Sequence, residues 1–349
     1  MKVIKRIGTY QSSIHQFSIA FLLAGILLSC APIQSNKITF GVILPLTGSG
    51  VDQGSWQQKG LELAKDEINS QGIQGYMLEL IYEDSKGGNP KEAIAAYEKL
   101  KISAQIPVIF TWGSGVGIAL TKLVNDNKII QMGIATASPD YSTPDDYTFR
   151  VFPSAAAEGA FDAELMFNNL QLNNVAVVYV NNDYGVGSKN EFTKKFKELG
   201  GAVVDEESVE IGASDARTEL TKIKNKNTSA IFLAVYPQEG GIILKQAKEI
   251  GLNTQFVAST AILGGKELFD IAGRAADGLL VTTSQFDVNA TTAKKFSDEY
   301  HKKYGVIPNL YSARAYDGLM IIAQAMTSCD TPINTECIKN TLFSIKNYE

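Results

Sequence analysis

From Lys37 onward the chain repeats one pattern: a short apolar run that can be buried on both faces, then a longer run with apolar residues at helical spacing. Residues 38–44 (ITFGVIL), 77–82 and 107–110 read as strands, and 56–68 and 90–100 as helices between them, the second with Pro90 in its first turn. Strands buried on both faces and separated by helices form parallel sheets, so an α/β chain is predicted. After TFRVFPS at 148–154 the series resumes, with helices at 156–170, 188–199, around Leu220 and at 240–250. Strands fall at 175–180, 230–235, 256–258 and 279–281. Helices at 292–304 and 313–326 then follow without strong strands between them. Helices that finish no sheet of their own predict that the chain returns to cover its first half. Lobe 1 is therefore expected to be discontinuous, 37–153 and 284–349, with lobe 2 at 154–283.

The first thirty residues differ in kind. Lys2, Lys5 and Arg6 form a basic leader, and the apolar run at 17–28 is short for a membrane span, which together read as an export signal over 1–29. It ends in Leu27-Leu28-Ser29-Cys30, which looks like the lipobox of bacterial lipoproteins, with a plain signal and a chance cysteine as the alternative. Lipid on Cys30 would tether the body to a membrane through 30–36, each buried methylene contributing about 0.8 kcal/mol. The expected location is then the cell envelope, periplasmic or on the outer face of a membrane. The whole chain carries 32 basic and 37 acidic side chains; losing 1–29, with three bases and no acid, moves the net charge from −5 to −8. No basic stripe is present, so nucleic acid is not an expected partner. Export also favours a disulfide between Cys329 and Cys337, which bracket the turn-rich DTPINTE and whose bridge would contribute roughly 2 to 3 kcal/mol.

Between the third strand and its helix stands FTWGSGVG, at 110–117. In such sheets ligands lie beyond the carboxyl ends of strands. Glycine lets backbone N–H groups approach a ligand, a helix starting near Val116 offers unpaired amides, and Ser114 adds a hydroxyl; together they would seat a carboxylate. The competing reading is close strand–helix packing with Ser114 as an N-cap.

Taken in order, LPLTGSG, GLELAKDEIN, YEDSKGGNP, ATASP, TFRVFPS, NNDYGVG, AVYPQEGG with LKQAKEIGL, and YSARAYDG resemble the leucine/isoleucine/valine-binding proteins, type I periplasmic solute-binding components of ABC importers, over about 37–345. The resemblance implies two Rossmann-like lobes with parallel sheets, joined by hinge crossovers at FRVFPS and VTTSQF and closing like a flytrap on a small solute. It also implies further C-terminal strands that are missing from this sequence. By position, Ser114 matches the serine that holds the substrate carboxylate. Ala135, Thr136 and Ala137 match the segment that offers a carbonyl and a hydroxyl, with Thr136 one step early. Tyr184 and Tyr236 match aromatics of the second lobe. Trp112, Gln53 and Trp56 would line the first-lobe wall. Thr260 stands where amino-acid binders carry an acid for the ammonium. A buried ammonium without a counter-charge is costly, so either Glu239 or Asp183 substitutes or the solute is an amide, a carboxylate or another polar molecule. The implied partners are the solute, an importer permease and, through Cys30, the membrane; the body is expected to be monomeric. A sensory receptor of the same fold is the alternative function.

Blander roles compete for several of these side chains: Tyr184 and Tyr236 as half-buried tyrosines, Asp183 as a turn residue, Trp56 as core, and Asp317 as structural. Catalysis has little support. Of two histidines, His15 lies in the leader and His301 on the charged run DEYHKKYG. No Cys/His cluster for a metal, no Ser–His pair and no Walker loop is present, so neither metal nor cofactor is expected. Gly48-Ser49-Gly50 reads as a ligand loop.

Overall fold

The computed structural model describes residues 36–346. The export leader and Cys30 lie outside the described residues, and so does all of the tether except Asn36. Lobe 1 holds β1 (Asn36–Leu44), β2 (Tyr76–Asp84), β3 (Val108–Thr111), β4 (Ile130–Gly133) and β5 (Thr148–Arg150), in the spatial order β2-β1-β3-β4-β5. Its β1/β3, β3/β4 and β4/β5 pairs are parallel. Lobe 2 holds β6 (Asn174–Val180), β7 (Ala202–Val209), β8 (Ala230–Ala234), β9 (Gln255–Ala258) and β10 (Leu280–Val281), ordered β10-β9-β8-β6-β7 and parallel throughout. β4 and β5 were not expected from the sequence. β4 (IQMG) is interrupted by Gln131 and Gly133 and β5 (TFR) by Thr148 and Arg150, so neither shows the apolar run that marks the equally short β3, and β5 takes the start of the segment expected to be wholly crossover.

Helices cover both faces of each sheet, as sheets buried on both sides require. In lobe 1, α1 (Val51–Asn69) lies on one face, and α2 (Pro90–Ser103) and α3 (Ser114–Asn127) on the other. In lobe 2, α4 (Ala155–Glu164) and α5 (Asp183–Glu198) oppose α6 (Arg217–Lys224), α7 (Pro237–Glu249) and α8 (Glu267–Ala272). Several starts follow from capping residues. Asn89 accepts from Lys91 N, Ser154 from Ala157 N and Asn182 from Gly185 N, each supplying a partner for an amide the helix leaves unpaired. α4 ends earlier than its apolar pattern suggests and passes into a π-turn at Leu165–Asn169.

The last helices are α9 (Thr291–Tyr304), α10 (Leu310–Thr327) and α11 (Thr335–Ser344). Ala315, Leu319 and Ile322 of α10 and Ile338 and Leu342 of α11 are buried in one cluster with Phe40, Val42 and Leu61 of lobe 1. α10 crosses α1 so closely that a Cβ on Gly60 would lie 2.1 Å from the Ser312 carbonyl oxygen, so only glycine fits there. Asn309 and Ser312 form a reciprocal capping box at the start of α10. Cys329 and Cys337 are bridged between α10 and α11. The described chain passes between the lobes after β5 and again after β10, so the carboxyl ends of both sheets face one cleft.

Candidate functional site

Three cavities lie in this cleft and share Trp112 and Tyr236. An inner one, about 20 Å³, is walled by Ser114, Ala135 and Ala137 from lobe 1 and by Tyr184, Tyr236 and Ala261 from lobe 2. An outer one, about 310 Å³, opens between the loop at 48–50, Asp52 and Gln53 on one side and Pro237, Gly264 and Glu267 on the other. A side cavity of about 80 Å³ touches Gly88, Gly115 and Asp183. A larger depression of about 810 Å³, touching Lys37, Ala104 and Lys128, belongs to lobe 1 alone and lies at the opposite ends of its strands. The shared cavities matter more here, because only they are changed by lobe movement.

The lobe 1 wall is held by its own hydrogen bonds. Asp84, in the YEDS motif, accepts from Leu46 N (2.9 Å), Thr47 N (3.2 Å) and Thr47 Oγ1 (2.5 Å), which fixes the loop leading to Gly48–Gly50. Burial works against its charge, yet these bonds and one from Lys86 N hold its carboxyl below the usual range. Trp112 is 5% exposed and donates from Nε1 to Gln53 Oε1 at 2.6 Å. A Cβ on Gly88, where φ is +79°, would stand 2.5 Å from the indole, so this glycine admits the ring as well as the turn.

Ser114 is the first residue of α3; the N-cap is Gly113, so the helix begins two residues before Val116 and the capping role considered for Ser114 is not the one seen. Its Oγ accepts from Ala137 N (3.3 Å) and Ser138 N (3.0 Å). Both lone pairs are thus engaged within lobe 1, and the single hydroxyl hydrogen is left for a group in the inner cavity. Thr136 is withdrawn from the cavities: fully buried, it donates from Oγ1 to the Gly113 carbonyl (3.3 Å) and holds the two loops together.

Aromatic rings make up much of the remaining wall. Tyr184 and Tyr236 stack at 5.3 Å, and Trp112 meets Tyr236 across the cleft at 6.3 Å. Tyr184 Oη pairs with Ser259 Oγ (2.7 Å), and Tyr236 Oη accepts from Asn182 Nδ2 (3.2 Å). Burial raises both phenols, so they act as neutral groups. Phe152 and Tyr311 also line the inner cavity and were not singled out from the sequence. Tyr311 stands in the quoted YSARAYDG, and a tyrosine in the first turn after a capping box was the available signal. Its hydroxyl is buried without a partner. Trp56 stacks behind it at 6.0 Å and supports the wall without lining a cavity.

Neither substitute acid named from the sequence is placed beside Thr260. Glu239 is 2% exposed, touches none of the cavities and uses Oε1 to accept from Gly212 N (2.7 Å), tying α7 to the loop after β7. Asp183 faces the side cavity. The acid at Thr260 is Glu158, from α4: Thr260 Oγ1 donates to Glu158 Oε1 at 2.6 Å and also lies 3.1 Å from the Thr282 carbonyl. One turn on, Thr282 Oγ1 meets Asp162 Oδ1 at 2.5 Å and the Ala258 carbonyl at 3.4 Å. Each hydroxyl has a single hydrogen facing two acceptors, a carboxyl oxygen and a carbonyl. Burial raises both acids, Glu158 against the Thr260 bond, and Asp162 up to about 7 with the Thr282 bond opposing and Glu158 adding. The sequence signal was Glu158 and Asp162, four apart on the small-residue helix AAAEGAFDAE, whose third acid, Glu164, pairs with Lys195.

Residues 37–349 match the family described as periplasmic binding protein. The chain belongs to that family. A Leu/Ile/Val-binding protein homolog from Brucella abortus is 29% identical over 315 residues, 87% of this chain and 83% of that one. A leucine-binding protein from Thermotoga maritima is 27% identical, with a TM-score of 0.82 over 89% of this chain and 88% of its own. The branched-chain amino acid transporter substrate-binding protein of Streptococcus pneumoniae, solved with isoleucine, is 25% identical, with a TM-score of 0.79 over 90% of each chain. A type 1 periplasmic binding protein from Bordetella pertussis, 21% identical at a TM-score of 0.84 over 90% of each chain, shares the fold. This periplasmic binding protein is therefore a non-catalytic, cell-envelope component of ABC-type uptake that serves a permease by binding a small polar solute.

Proposed function

We propose that the protein captures an α-amino acid or a closely related amide or carboxylate by closing its lobes. The acceptor end of the solute is held at Ser114 and the amides opening α3, and Tyr184, Tyr236 and Tyr311 cover it. The observation that carries this reading is Ser114 itself, whose Oγ is filled as an acceptor by Ala137 N and Ser138 N while its hydrogen remains free in a cavity walled by both lobes. A carboxylate is the group that best uses such a donor beside a helix N-terminus. Glu158, bonded to Thr260 behind the cavity walls and raised by burial, supplies in its charged form the negative partner for an ammonium. The names of the relatives support an amino-acid ligand. We further propose that lipid on Cys30 anchors the body at the membrane, where the permease reads the closed form, because only contacts made after closure can shift the open–closed balance.

Calorimetry with leucine, isoleucine, glutamine amide analogues and short carboxylates tests this directly. Binding of one of them should fall by roughly 10- to 100-fold in Ser114→Ala, the loss of about 1.5 to 3 kcal/mol typical of a hydrogen bond to a charged group. Undiminished affinity in that variant would remove Ser114 from the site.

A further inference from the structure

The outer cavity holds far more room than the inner one, about 310 Å³ against about 20 Å³, and the two meet at Gln53, Trp112 and Tyr236. Its charged lining is of one sign. Asp52 and Glu267 face it from opposite lobes, Asp183 faces the side cavity, and no lysine, arginine or histidine lines any of the three. The Trp112 indole, wedged by Gly50 and Gly88 and steered by its bond to Gln53, lines the same cavity as the two acids as a fixed aromatic ring. Two buried polar groups mark where the acceptor end of a solute sits, at the inner cavity and at its junction with the outer one. Tyr311 Oη, on a residue 4% exposed, has no partner in the inner cavity. Gln53, 3% exposed, lines both cavities and extends Nε2 toward Gly264. An acceptor end at Ser114, Tyr311 and Gln53 therefore leaves the outer end of the solute among carboxylates and a ring face. Such a place favours a positive group, because the carboxylates attract it and the ring quadrupole adds to that attraction.

We infer that the solute carries a second, distal cation, an alkylammonium or guanidinium, seated in the outer cavity over Trp112 between Asp52 of lobe 1 and Glu267 of lobe 2. The assignment rests on the proposed capture of a solute between the lobes and narrows its class to elongated basic amino acids. The cation also acts as a clasp: it touches both acids only when the lobes are together, so it stabilises the closed form specifically.

Ornithine and norleucine separate the two ideas, since their side chains match in length and differ only in a terminal ammonium or methyl group. Calorimetry and small-angle scattering on the same protein are expected to give ornithine at least about tenfold tighter binding than norleucine, with compaction. Asp52→Asn with Glu267→Gln should erase that preference, weakening ornithine by at least about tenfold more than norleucine. In the unaltered protein the ornithine preference should shrink as salt rises, a readout that does not depend on the variant folding. Norleucine binding as tightly as ornithine, with compaction, would overturn the distal cation while leaving solute capture standing. A preference that persists in the double variant and at high salt would overturn the roles of Asp52 and Glu267. Neither solute binding, nor compaction with either, would overturn the basic amino-acid class, and failure of leucine as well would count against capture.

Discussion

The two walls of the cleft are built on different principles. Lobe 1 presents loops already pinned by hydrogen bonds, with the Tyr311 hydroxyl left open: Asp84 holds the loop before Gly48, Trp112 holds Gln53, and Ser114 is held by Ala137 and Ser138. Lobe 2 presents phenols and, behind Thr260, two buried acids whose carboxyls burial raises, with one oxygen of Asp162 left without a partner. A preformed wall loses little freedom when a solute arrives, so lobe 1 is suited to first contact. A wall with unresolved proton and charge balance responds to what the solute brings, so lobe 2 is suited to making closure conditional. The contrast implies that changes in lobe 1 damage affinity and packing together, whereas changes around Glu158 alter how binding and stability depend on pH.

The most severe test of the contrast is Trp112→Ala. Removing a ring 5% exposed and wedged between two glycine turns should cost about 3 to 5 kcal/mol of stability, read by denaturant unfolding, along with solute binding. Full stability would mean that the lobe 1 wall is not preformed. Next in size is the pH response of Asp162, whose carboxyl is raised to about 7 when folded against an ordinary value of 3.8. An acid with a raised folded pKa stabilises fully below its unfolded value and loses that contribution as pH rises through the folded one. Unfolding free energy should therefore decline from about pH 4 to about pH 7, and Asp162→Asn should flatten the slope. A slope identical in the variant would exclude Asp162 as its source.

Glu158→Gln sharpens the same comparison on the binding side. Calorimetry in buffers of different ionisation enthalpy should show release of up to about one proton when an ammonium-bearing solute binds, and none in the variant. The smallest effect is expected from Glu239→Gln, which lies outside the cavities and should change affinity by no more than about twofold. A large loss there would restore Glu239, one of the two substitute acids named from the sequence.

Much of the fold was legible because its signals are local. Apolar runs such as VAVVYV and AIFLAV are long enough to identify central strands, whereas the helix capped by Asn182 starts at Asp183, five residues before the start expected at 188. β4 and β5 were missed because Gln131, Gly133, Thr148 and Arg150 break the apolar run, and their strand state depends on pairing with β3 and with each other. Ser114, Tyr184 and Tyr236 could be found from motifs, since each sits at a loop after a strand, where ligands gather. Glu158 could not, because its pairing with Thr260 spans 102 residues and depends on how α4 crosses the loop after β9. Thr136 shows the reverse case, a hydroxyl in a site motif that chain geometry turns inward onto the Gly113 carbonyl.

Closure on a solute held at Ser114 is most directly measured by small-angle scattering during titration with whichever amino acid binds, on the unaltered protein and on Ser114→Ala. The radius of gyration should fall as the unaltered protein saturates, and the same solute concentration should leave the variant extended. A profile that stays unchanged at saturation, or that contracts equally in both proteins, would contradict capture by lobe closure at Ser114.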